Sequence, residues 1–171
     1  MMVCKKASLN DLERLAITIM VLNGSEVEQD DVKTFIDRCY YFEDTVTKSI
    51  VALVAAVRTV LEFPSEVEGE IIQTYPNKYT IKYCLFDYNA IVHSGEDPSR
   101  LLSYLIKELT ADMNDWPVVI DPTEQAMMNK LNSYDQTMQS MKPALEKNSF
   151  KIYSDHLAYM RASPINFMKI R

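Results

Sequence analysis

The run over residues 49–61 constrains this chain most. It is apolar apart from its opening serine, Arg58 and Thr59, and such a stretch has to leave water. Its valine and isoleucine content favours a buried strand, because branched side chains pack well on a pleated surface. Ile50, Leu53, Val54 and Val57 also fit one helical face, and Ala52, Ala55 and Ala56 suit that alternative. The composition favours strand and leaves helix open. Either way the run falls short of the roughly 18 apolar residues that a spanning helix needs. No longer apolar stretch exists, so no membrane association is expected.

The flanking segments alternate between helical and extended patterns. Residues 2–6 read as a first strand. Ser8 and Asp11 have capping-box spacing, and Leu9, Leu12, Leu15, Ile19 and Leu22 form an apolar face ended by Asn23-Gly24. Asp30 and Asp31 suit the start of a second helix, with Val32, Phe35, Ile36 and Cys39 inward. Residues 40–42 read as a strand that turns through 43–48. Residues 62–70 read as an acidic loop. Strands are expected at 70–75 and 79–86, with Thr80, Lys82 and Cys84 alternating against Ile81, Tyr83 and Leu85. Asp97-Pro98 opens a helix with a stripe of Leu101, Leu102, Leu105, Ile106 and Leu109. Val118-Val119-Ile120 reads as a short buried strand. From Thr123 a long helix is expected, with Met127, Leu131, Tyr134, Met138, Met141 and Leu145 in heptad register and a kink or break at Pro143. Two short strands, 150–153 and 157–161, close the chain around a turn at 154–156.

With 171 residues, one domain over 1–171 is expected. A net charge of −6 argues against nucleic acid as a partner, since backbone binding needs lysine and arginine. Cys4, Cys39 and Cys84 are scattered and odd in number, which suits free thiols in a reducing cytoplasm rather than disulfides. There is no C-x-x-C pair, and His93 and His156 lie far apart, so no metal site is expected. The N-terminal residues have no apolar run after Lys5-Lys6 and do not read as a signal peptide.

Three stretches carry a family resemblance: Lys5-Lys6-Ala7-Ser8-Leu9-Asn10-Asp11-Leu12 at the opening of the first helix, residues 79–109, and Leu145-Glu146-Lys147-Asn148-Ser149-Phe150. The last is similar to a closing Y-x-K-x-G-F segment. Together with the element order, they resemble the GNAT-type N-acetyltransferases over nearly the whole chain. The resemblance implies an α/β (α+β) fold with a GNAT-like mixed central sheet of about six to seven strands flanked by about four helices. It implies acetyl-CoA as cofactor, transfer of its acetyl group to an amine, and a thioester oxyanion held by backbone N–H groups of the central strand.

In that family a loop of pattern Q/R-x-x-G-x-G/A seats the pyrophosphate. The matching stretch here is 93–100, so His93, Ser94, Gly95, Ser99 and Arg100 are the implied cofactor residues. Only Gly95 of the two glycines is kept, Pro98 has no N–H, and Glu96 and Asp97 bring negative charge to a phosphate site. Like charges about 4 Å apart repel by about 1 kcal/mol in water and up to about 4 kcal/mol at a protein surface. A plain helix start capped by Asp97 is the competing reading. Asp87 and Glu62 are the candidate bases, against a solvated role for each. Tyr134 is the candidate acid, because Leu145 stands where the family's tyrosine would be; a core tyrosine is its other reading.

Two functions follow. One is a divergent acetyl-CoA-dependent N-acetyltransferase. The other is a non-catalytic GNAT-fold protein, a binding module or structural component of a larger assembly, a virion included. Its protein partner or second copy would meet the Met-rich helix 123–147.

Overall fold

A computed structural model describes residues 1–60, 77–152 and 159–161. The apolar run is a strand, β3 (Ile50–Val60). Its alternate side chains enter two different cores: Ala52, Val54 and Ala56 go to one, and Leu53 and Ala55 to the other. A strand covered on both faces reads as continuously apolar, so the helical alternative falls away.

Among the described residues the sheet has seven strands in the order β1-β2-β3-β4-β5-β7-β6. These are β1 (Met2–Lys6), β2 (Cys39–Asp44), β3, β4 (Asn77–Phe86), β5 (Val118–Ile120), β6 (Lys151–Ile152) and β7 (Tyr159–Arg161). Neighbours run antiparallel except β4 and β5, which are parallel. On one face lie α1 (Leu12–Asn23) and α2 (Gln29–Lys33), packed through Leu15, Ile19, Leu22 and Val32. On the other lie α4 (Pro98–Thr110) and α6 (Tyr134–Lys147), packed through Leu102, Leu105, Met141 and Leu145.

Two further helices, α3 (Tyr88–His93) and α5 (Pro122–Met128), make six among the described residues where about four were expected. One is new and the other comes from a split. The long helix from Thr123 is interrupted at 129–133, and Ser133 caps α6 by accepting from Gln136 N–H at 3.1 Å. The heptad seam therefore divides. Met138, Met141 and Leu145 are buried, whereas Met127, Leu131 and Tyr134 are exposed. A heptad pattern records only spacing, and Ser133 offers a second helix start inside it.

Pro143 does not end its helix; α6 continues to Lys147. The proline is exposed, and so is Gln139, whose carbonyl loses its helical donor; water can serve it. Leu9 also departs from expectation. The first turn after Ser8 is a 3-10 helix over Leu9–Asp11, which swings Leu9 off the stripe to 65% exposure. Cys39 is buried as expected but opens β2 rather than extending the second helix.

The period-two pattern in β4 breaks at a bulge. Ala55 pairs with Tyr83 and Ala56 with Ile81, so Lys82 is the extra residue. An inserted residue flips every later side chain to the other face. Ile81 consequently shares a core with Cys84 and Phe86, while Tyr83 and Leu85 face α1 and α2. The expected strand at 70–75, the acidic loop and the closing turn lie outside the described residues. The two closing strands pair antiparallel as expected.

Candidate functional site

The site that the sequence points to lies where β4 ends. Among the described residues β4 and β5 pair only at Tyr79–Val118 and Thr80–Val119. Beyond these positions the two parallel strands have no register with each other, and β4 continues to Phe86. Asp87 follows, then α3, a tight turn through Gly95, and α4.

The backbone of that turn is engaged locally. Ser94 N–H donates to Ala90 O and Ile91 O at 3.2 Å each, Gly95 N–H to Val92 O at 3.0 Å, and Glu96 N–H to Ile91 O at 3.2 Å. Gly95 has φ +84°, the left-handed conformation with which helices commonly end. The glycine therefore terminates α3. Asp97 then caps α4: its Oδ1 accepts from Ser99 N–H at 3.1 Å. Pro98 occupies the first helical turn and contributes no donor.

A second set of bonds lines the β5-facing edge of β4. Gln125 Oε1 accepts from Cys84 N–H at 2.8 Å, and its Nε2 donates to Ile81 O and Lys82 O at 3.3 and 3.1 Å. Asn129 Oδ1 accepts from Phe86 N–H at 3.0 Å while its Nδ2 donates to Cys84 O at 3.0 Å. Asn132 Oδ1 accepts from Tyr88 N–H at 2.9 Å, and its Nδ2 donates to Phe86 O at 3.0 Å. Gln125 and Asn129 are only 1% and 2% exposed.

The comparisons with known proteins bear on this arrangement. No protein-family profile matches the chain, and no curated protein matches it either. Solved structures do. A mosquito arylalkylamine N-acetyltransferase-like protein superposes with a TM-score of 0.62 at 12% identity, over 95% of this chain and 100% of the other. The Drosophila melanogaster polyamine N-acetyltransferase gives 0.57 at 12% identity over 95% and 100%. Arabidopsis thaliana NAA60, solved with a bisubstrate analogue, gives 0.55 at 10% identity over 96% and 99%.

This is the GNAT fold.

A GNAT fold raises the question of acetyl-CoA, and four N–H groups of the turn before α4 do not fit it. A diphosphate seated on a turn needs free N–H groups there. Ser94, Gly95 and Glu96 direct theirs back into α3, and Ser99 directs its own to Asp97. The implied cofactor residues are also divided between two grooves. His93 and Ser94 border an open cavity of about 690 Å3 between α1, the β2–β3 turn and α3, together with Asp87, Arg14 and Lys48. Arg100 borders a different one of about 540 Å3, beside Met2, Cys4 and Tyr104. His93 Nδ1 lies 2.7 Å from Asn89 O, and Ser94 Oγ donates to Ile91 O at 2.6 Å. The GNAT-like closing segment carries its own departure. Ser149 stands where the family has glycine, and it adopts φ +67°.

Asp87 caps α3, with Oδ1 accepting from Ala90 N–H at 3.1 Å. Tyr134 is half exposed at the start of α6 rather than in the core. Glu62 lies outside the described residues. A carboxylate that the sequence reading missed, Glu43, is buried beside the larger cavity. It pairs with Arg14 at 2.8 Å and Lys5 at 3.5 Å. The hydrogen bond from Arg14 holds its pKa below the usual carboxylate value. Its tie to α1 is structural. Burial pushes the thiols of Cys39 and Cys84 up to about 12 and that of Cys4, which is only partly buried, up to about 11. Among the described residues no cluster of metal-ligating side chains occurs.

Proposed function

We propose that this chain is a non-catalytic GNAT-fold protein, a binding module or fixed component of a larger assembly. The observation that carries the reading is the turn before α4. Its N–H groups serve as the end of α3 and the cap of α4, and none of the four named above is left to meet a diphosphate. Glu96 and Asp97 add negative charge at the same place. Ligands that bind the native state raise its melting temperature, so a thermal-shift titration tests the reading directly. Acetyl-CoA at millimolar concentration is expected to leave the midpoint unchanged. A saturable rise, or coenzyme-dependent acetylation of an amine, would overturn it.

The partner surface under this reading is the exposed half of the divided seam, Met127, Leu131 and Tyr134. Flexible and aromatic side chains of this kind are enriched at interfaces. The competing reading, an amine N-acetyltransferase, draws support from the fold and from the parting of β4 and β5. Its candidate base Asp87 serves as a helix cap, and its candidate acid Tyr134 is exposed.

A further inference from the structure

We infer that the segment 125–132 is a built-in substitute for a pairing strand, which closes the gap between β4 and β5 from within. An extended, amide-bearing ligand, whether a peptide or a pantetheine-type arm, has no backbone left to pair with there. The inference stands on β4 and α5 and does not depend on the turn before α4.

Consecutive residues of a strand direct their backbone groups to opposite sides. All four residues from Tyr83 to Phe86 are in register with β3, and it is the N–H and C=O groups of Cys84 and Phe86 that the side-chain amides across the gap engage. An ordinary sheet edge at this position would leave those groups open. Here three primary amides meet them in sequence. Gln125 takes Cys84 N–H, Asn129 bridges Cys84 O and Phe86 N–H, and Asn132 bridges Phe86 O and Tyr88 N–H. A side-chain amide carries the same donor and acceptor as a peptide group, which is why each can span two rungs. Steps of four and three along the chain bring successive amides to successive rungs.

The segment is also held from behind. Asn129 Nδ2 donates to Gln125 O at 2.7 Å. Lys130 N–H donates to Leu22 O at 3.0 Å, which fastens the segment to the end of α1. Asp121 Oδ1 caps the start of α5 by accepting from Thr123 and Glu124 N–H. Displacing the amides would strand Gln125 and Asn129, which are almost wholly buried, along with the strand groups they serve. Cys84 N–H and Phe86 N–H are thereby occupied by Gln125 and Asn129 of this plug and are not free to pair with a ligand.

Amide hydrogen exchange of the full chain tests this. Cys84, Phe86 and Tyr88 are expected to exchange on the order of 100-fold or more slowly than exposed amides, in the same range as Tyr83 and Leu85. Millimolar acetyl-CoA should not change their rates. Exchange of Cys84 and Phe86 at unprotected rates, or extra slowing by acetyl-CoA, would sink the inference. Asn132→Ala should speed Tyr88 at least about tenfold and leave Leu85 unchanged; an unaltered Tyr88 rate would remove the last rung. The two proposals fail separately. A melting-temperature rise with acetyl-CoA while these amides do not respond defeats the non-catalytic reading and leaves the plug in place. Fast amides without any rise do the reverse.

Discussion

Replacing Asn129 by alanine should cost this protein about 3–4 kcal/mol. The side chain is 2% exposed and serves two backbone groups of β4, Phe86 N–H and Cys84 O. Truncation leaves both groups buried without their partner, and each such group costs about 1–3 kcal/mol. A water entering the vacated space would recover part of the loss, which places the sum in the middle of its range. Domains of this size are stable by about 5–15 kcal/mol, so the variant should fold and be measurable. Urea unfolding followed by far-ultraviolet circular dichroism is the assay. With a slope of about 2 kcal/mol per molar, the midpoint should fall by about 2 M at unchanged slope. Asn77→Ala, at an exposed position in the same strand, should stay within about 0.5 kcal/mol of the parent. A loss below about 1 kcal/mol for Asn129→Ala would refute the reasoning, because the edge of β4 would then have another source of hydrogen bonds.

Gly95→Ala should cost about 1 kcal/mol from its left-handed backbone alone, since an added Cβ meets nothing within 4 Å; thermal unfolding reads this, and a loss above about 3 kcal/mol would point to contacts not described above. Asp97→Ala should lower stability by about 1 kcal/mol through loss of the cap, with no phosphate or acetyl-CoA binding gained by calorimetry. Glu43 has a depressed folded pKa, so its pairing contributes above the unfolded value of about 4.3 and is lost as pH falls through the lower folded value. Glu43→Gln should therefore be less stable than the parent at pH 7, with the gap closing in acid; a gap independent of pH would contradict the pairing. With a thiol reagent near neutral pH, Cys4 should label slowly and Cys39 and Cys84 only on unfolding, as a stopped time course with mass spectrometry would show.

Several helix boundaries were legible because capping is local chemistry. Ser8 with Asp11, Asp97 with Pro98, and Gly24 at the end of α1 sit where their residue types indicate. The central strand was half legible, since composition favoured it but only two helical layers explain an apolar residue at every position from Ile50 to Val57. The bulge at Lys82 was not legible. Nothing in Thr80–Ile81–Lys82–Tyr83 marks an inserted residue, and the alternation looked regular across it. The stretch 93–100 resembles a phosphate loop and also reads as a plain helix start capped by Asp97; that cap is present, and the added helix α3 gives Gly95 a capping role that the pattern does not announce. Gln125, Asn129 and Asn132 were passed over because polar residues inside an apolar heptad look like the solvent side of a helix. Their four- and three-residue spacing was the available signal. It acquires meaning only once an unpaired strand is known to lie opposite.

The hydrogen bond from Lys130 to the carbonyl of Leu22 has a mechanical consequence. It rivets the C-terminal turn of the first helix to the segment that covers β4, across the end of the sheet. Fraying of either breaks this bond. In native-state exchange under mild denaturant, the last turn of α1 and the Cys84–Tyr88 edge should open as one cooperative unit, so the two faces of the molecule loosen at a single free energy.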